Sequence, residues 1–115
     1  MEQRKNEVLP GALNLMELKT LGTLGSLHGH GVARRIELIG GNALQLNRGT
    51  IYPALLRLEQ MGWIKSERGV SENNRRAKYY SITRAGRKRL SAEEEGRRRV
   101  SDIMLRFLTP SEENL

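Results

Sequence analysis

Apolar residues in the first third of the chain point in almost every direction. Residues 12–25 carry Leu13, Leu15, Met16, Leu18, Leu21 and Leu24, which predicts a central helix buried nearly all round. Gly25 is placed to end it. Val32, Ile36 and Ile39 then recur at i, i+4 and i+7, predicting a second helix over 29–39 stopped by Gly40 and Gly41. A third stripe, Ile51, Ala54, Leu55, Leu58 and Met61, keeps helical spacing through 48–60. Asn47 or Thr50 is its candidate cap, and Pro53 must sit near its start, because the ring clashes with the carbonyl four residues back. After Gly62 the period changes. WIKSERGV and AKYYSIT are β-prone and SENNRR between them is turn chemistry, so a hairpin is predicted over 63–69 and 77–82, with Ile64, Tyr80 and Ile82 facing inward. Thr83 caps a long fourth helix, 84–108. Its first half is polar, and its second half puts Val100, Ile103, Met104, Phe107 and Leu108 on one face. Residues 1–10 read as a flexible arm and 109–115 as a disordered tail.

The fold class that follows is mainly α with a small β-hairpin. Length agrees: 115 residues is one domain's worth. Only 37% of residues are hydrophobic and 4% aromatic, so the core is thin and an elongated or dimer-forming chain is expected. There is no cysteine, which removes disulfides, thiolate metal sites and cysteine catalysis. No apolar run approaches the roughly 20 residues that cross a bilayer, and the first residues lack a signal-peptide apolar segment. The expectation is a soluble, cytoplasmic protein with no membrane partner.

Charge sharpens the picture by its position. Between Lys65 and Arg89 there are nine bases and two acids, Glu67 and Glu72, a surplus of seven; the rest of the chain balances. That segment therefore holds the whole formal charge of +7. Uncompensated positive charge repels itself unless an anion neutralises it, and a polyanion is the expected partner, nucleic acid before acidic membrane.

Three helices followed by a hairpin is the order of a winged helix-turn-helix, with residues 11–83 as its DNA-binding domain and 84–108 as a long C-terminal dimerisation helix. A recognition helix needs an apolar inner stripe and an outer face of small, polar or flat residues near its N-terminus. At about 100° per residue, Gly49, Tyr52, Leu56 and Gln60 lie opposite the stripe, flanked by Arg48 and Arg57. The candidate recognition residues are Arg48, Gly49, Thr50, Tyr52, Pro53 and Arg57. The two arginines donate bidentately to guanine or phosphate. Tyr52 contacts DNA or packs against the wing. The candidate wing residues are Lys65, Arg68, Asn73, Asn74, Arg75, Arg76 and Lys78. The cations suit phosphates or a minor groove, and the asparagines suit a turn tip.

These stretches resemble a known family. LPGALNLMELKTL (9–21), LHGHGVARRIE (27–37), RGTIYPALLRLEQMGWI (48–64) and RRAKYYSITRAGRKRL (75–90) are similar to the PadR-type transcriptional regulators. The tract from Gly49 to Ile64 is the most specific, with Tyr-Pro inside the recognition helix and Gly-Trp at the start of the wing. The resemblance implies a dimeric winged-helix DNA-binding protein, usually a repressor, of the short subfamily whose last helix dimerises. Leu90, Val100, Ile103, Met104, Phe107 and Leu108 are the expected dimerisation residues. Two positions depart from the family's pattern. His30 stands where an aromatic Tyr is common, and Arg97 lies near the place of a Trp that in some relatives lines an effector cavity. With Arg97, Arg98 and Arg99 there, an aromatic stacking pocket is not expected, and an anionic effector or none is equally admissible.

The remaining chemistry is bland. His28 and His30 lack further ligands in sequence and read as turn or cap residues, with no metal. Trp63 reads as core at the helix–wing junction. Glu93, Glu94 and Glu95 read as solvated, or paired with later arginines at helical spacing. No convergent set of carboxylates, histidines and hydroxyls suggests an enzyme, and no cofactor is expected. The reading is a dimeric, sequence-specific DNA-binding regulator, with a non-specific nucleic-acid module and a protein-interaction module as alternatives.

Overall fold

The computed structural model describes residues 10–44, 48–70 and 73–109. Seven elements follow in order: α1 (Pro10–Leu24), β1 (Leu27–His28), α2 (Gly29–Leu44), α3 (Arg48–Gln60), β2 (Ile64–Val70), β3 (Arg76–Ile82) and α4 (Arg84–Leu108). The fold is a winged helix: helices with a small antiparallel sheet in the order β1-β3-β2, and a long last helix.

The core is where the spacing predicted it. Leu13, Leu18 and Leu21 of α1, Val32 and Ile36 of α2, and Ile51, Ala54, Leu55 and Leu58 of α3 are buried together. Ile64 and Tyr80 close the cluster from the sheet, with Ile82 and Trp63 packed against it. Leu24, Ile39 and Met61, the last residues of their stripes, are exposed.

Hydrogen bonds at the junctions fix the elements. The N–H of Trp63 donates to Leu58 O and that of Gly62 to Glu59 O, both at 3.0 Å. This pair of bonds, with Gly62 at φ 78°, ends α3 in the left-handed turn that glycine adopts without strain. It also turns the chain directly into β2. Thr83 caps α4, its side chain accepting from the N–H of Gly86 at 3.0 Å. Its own hydroxyl donates to Gly62 O at 2.7 Å, so one threonine joins the end of α3 to the start of α4. Gly86 lies on the backbone of Trp63, where a Cβ would overlap the carbonyl.

Three expectations need correction. Gly40 and Gly41 do not stop the second helix, which runs on to Leu44. Glycine costs a helix roughly 1 kcal/mol relative to alanine, a penalty that burial of Val32, Ala33 and Ile36 outweighs. Pro10 is not part of the arm but the first residue of α1, where its missing N–H costs nothing. Thr50 is inside α3 and not its cap; the other candidate, Asn47, lies outside the described residues. Pro53, as expected, sits inside α3 near its start. β1 was not anticipated; it pairs Leu27 with Tyr80 and His28 with Tyr79. The rest of the arm (1–9) and the tail from 110 likewise lie outside the described residues.

Candidate nucleic-acid interface

The outer face of α3 is open. Tyr52 is 46% and Leu56 49% exposed, and Gly49, Thr50, Pro53, Arg57 and Gln60 are exposed beside them. The side chain of Arg48 lies outside the described residues. The Tyr52 ring rests against Gly29, the first residue of α2, where any Cβ would collide with it. Tyr52 therefore packs on α2 and keeps nearly half its surface.

His28 and His30 organise the end of α2. Nδ1 of His28 accepts the N–H of Gly31 at 2.9 Å, a cap on the helix. Its ring stacks on His30 at 5.9 Å and meets the edge of Tyr79 of β3 at 5.8 Å. Among the described residues no three potential metal ligands cluster.

Strand register decides which wing residues share a face. Ile64 pairs with Ile82, Ser66 with Tyr80, Arg68 with Lys78 and Val70 with Arg76. Side chains alternate along a strand, so the face that is apolar at the base of the hairpin becomes basic further out. Asn74, at φ 61°, takes the left-handed turn conformation that asparagine tolerates better than most residues. Asn73, Arg75 and Arg76 are exposed around it, as are Lys65 and Arg68.

A residue that sequence reasoning missed fastens this wing to α3. Glu59 follows Tyr52 by seven residues, two helical turns, and so lies on the same side. One of its oxygens accepts the Ser66 hydroxyl at 2.5 Å and the other meets the Lys78 ammonium at 3.3 Å. Lys78 also lies 5.4 Å over the Tyr80 ring. The Ser66 bond first, and then Lys78, hold the Glu59 carboxyl below its usual range, and the bond to Glu59 raises Lys78 above its own. The signal was present, since Glu59 is the lone acid between Arg48 and Ser66.

Two cations of the basic segment are engaged within the chain. Lys78 is engaged by Glu59. Arg89, on α4, stacks 4.7 Å over Trp63 and pairs with Glu93 at 2.7 Å. Arg57 lies on the flank of α3 toward Glu17 of α1, close enough to lower that carboxyl's pKa. The acidic run divides as well: Glu94 ties α4 to Lys19 of α1 at 2.7 Å, and Glu95 meets Arg99 at 3.8 Å. Of the three, only Glu95 pairs with a later arginine.

Along α4, Val100, Ile103, Met104, Phe107 and Leu108 are all exposed. Leu90 is not with them. It is 8% exposed, part of the chain's own core, and its Cδ2 approaches Gly22 so closely that a Cβ there would lie 3.0 Å away.

Residues 18–92 match the Transcriptional regulator PadR-like family. The chain belongs to that family. A transcriptional regulator from Thermoplasma acidophilum is 28% identical, with a TM-score of 0.73 over 90% of this chain and 97% of its own. One from Clostridium thermocellum is also 28% identical, with a TM-score of 0.74 over 84% of this chain and 93% of its own. Bacillus subtilis PadR, solved in complex with operator DNA, has the same fold, with 24% identity and a TM-score of 0.62 over 70% of this chain and 45% of that one. No curated protein sequence matches the chain. This PadR-like regulator has no helix among its described residues that is long and apolar enough to cross a membrane.

Proposed function

We propose that this PadR-like chain is a cytoplasmic homodimer that binds duplex DNA sequence-specifically and represses transcription by occupying promoter DNA. The observation that carries the reading is the Glu59 bridge. It holds the basic face of the hairpin on the same side of the molecule as Tyr52 and the open face of α3. A B-form major groove is about 12 Å wide and admits one helix. The solved complex of Bacillus subtilis PadR with operator DNA is support from the same fold.

In this reading Gly49, Thr50, Tyr52 and Pro53 approach the groove, with Arg48 and Arg57 as flanking donors. Lys65, Arg68, Arg75 and Arg76 meet phosphates, and Asn73 and Asn74 shape the tip. Two copies joined through α4 place their recognition helices about 34 Å apart on one face of DNA, so the operator is a pseudo-palindrome. A small-molecule effector, where one exists, acts by favouring one spacing of the two helices over another, since only differential affinity shifts an equilibrium. No catalytic step and no cofactor belong to the proposal.

The test is a mobility-shift titration on DNA from upstream of the protein's own gene, against a scrambled duplex of the same composition. Preference for the natural duplex supports specific regulation. Equal affinity means a non-specific module, and no binding to either means a protein-interaction role. Replacing Arg75 and Arg76 by Ala is expected to weaken binding to every duplex and to flatten the salt dependence by about 0.9 log units per lost phosphate contact.

A further inference from the structure

We propose that Glu59 is a positioning residue for DNA binding: its carboxylate ties both wing strands to the recognition helix and keeps Lys78 out of the set of phosphate-binding cations. The inference rests on the DNA-binding reading above and adds a residue that lies outside both the recognition and the wing sets.

Ser66 on β2 and Lys78 on β3 share one face of the hairpin and sit diagonally across the ladder, since Ser66 pairs with Tyr80 and Arg68 with Lys78. Glu59 reaches both, one oxygen to each: Ser66 Oγ at 2.5 Å and Lys78 Nζ at 3.3 Å. A single carboxylate from α3 therefore bridges two strands of the wing. Removing either contact leaves the wing joined to α3 here by one strand only. Ser66 and Glu59 are both partly covered, so their bond is not an exposed one that water replaces freely.

Lys78 is held twice, by the carboxylate and by the Tyr80 ring 5.4 Å below its ammonium. A phosphate taking Lys78 would have to displace Glu59 and would then lie beside an uncompensated carboxylate. Like charges that close are repelled. Lys78 is accordingly engaged by Glu59, while Lys65, Arg68, Arg75 and Arg76 carry the wing's contact with the backbone. Glu59 thus fixes both where the wing stands and how many of its charges the duplex meets.

The experiment has one arm without DNA and one with it. Without DNA, limited acetylation of lysines read by mass spectrometry is expected to show Lys78 reacting more slowly than Lys65, and Glu59→Gln is expected to speed Lys78 selectively. Equal reactivity of Lys78 in the wild type and E59Q overturns the clamp. With DNA, the slope of log affinity against log salt is measured for the wild type, E59Q, Lys78→Gln and the double variant. K78Q is expected to leave the slope unchanged. E59Q frees Lys78 and is expected to steepen it by about 0.9, one phosphate contact, and the double variant returns to the wild-type slope. A change of affinity in E59Q with no change of slope means that Glu59 is only a structural contact and overturns the role. A slope flattened by a full contact in K78Q overturns it too, and K78Q still decides if E59Q does not fold. A wild-type chain that binds no duplex sinks the DNA reading and this role with it, while the acetylation arm still reports whether the clamp exists.

Discussion

Glu17 has no exposed surface, and neither of its carboxylate oxygens has a hydrogen-bond partner among the described residues. Burial pushes its pKa up to about 8, with Arg57 pulling weakly the other way. In the unfolded chain the same carboxyl ionises near 4.5. Between those two values the folded state holds a proton that the unfolded state has lost. Stability therefore falls as pH rises from 4.5 to 8 and levels off above that. Glu17→Met removes the burden. Urea unfolding is expected to show the variant more stable than the wild type at pH 8, by on the order of 3 kcal/mol, with the gap shrinking toward pH 5. A gap independent of pH would contradict this account. The periodic pattern of α1 marked its leucines as core but passed over Glu17, because an acid among apolar residues reads as the solvent side of a helix. Glu59 was passed over for a related reason: a lone carboxylate on a helix shows no partner until the strand carrying Ser66 and Lys78 folds back on it.

At the scale of elements, local chemistry predicted well wherever a boundary has its own signal. Thr83 is a cap in sequence and in structure, and Gly62 stops α3 by conformation. Thr83→Ala is expected to cost about 1 kcal/mol. Gly86→Ala is expected to cost more, at least about 2 kcal/mol, because its methyl meets the rigid carbonyl of Trp63 rather than a side chain that can turn away. Thermal melts of the two variants rank them, and an equal fall would mean that the contact with Trp63 relaxes freely. Prediction failed where packing overrode propensity. Two glycines look like a stop, yet α2 runs through them. β1 is two residues long, too short for any alternation to show, and exists because β3 offers it an edge.

For the molecule as a whole, α4 is the feature that one chain leaves unfinished. It is 25 residues, about 37 Å of helix. Its start is held by Leu90 in the core and by the Lys19–Glu94 pair, while every residue from Arg97 to Thr109 is exposed. Burying five large apolar side chains is worth roughly 1.5–3 kcal/mol each, which supports pairing of two copies through that half. Ile103→Asp with Phe107→Asp is expected to give a folded monomer by sedimentation that binds the operator far more weakly. A dimer unaffected by both changes would place the interface elsewhere. Leu90, named with these residues as an expected dimerisation residue, lies in the chain's own core, and a charge there is expected to unfold the domain.

The sequence by itself determined three helices, the hairpin, the capped long helix, the open face of α3 and the family, because each is written in local periodicity, turn chemistry or a contiguous tract. Tertiary structure alone decided which partners Lys78 and Arg89 take. The run from Lys65 to Arg89 carries the whole formal charge in sequence, and folding set Glu59 against Lys78 and Trp63 beneath Arg89. Charge is additive along a chain, whereas its neutralisation depends on distances between residues far apart in sequence, and those exist only once the helix, the wing and the last helix have packed together.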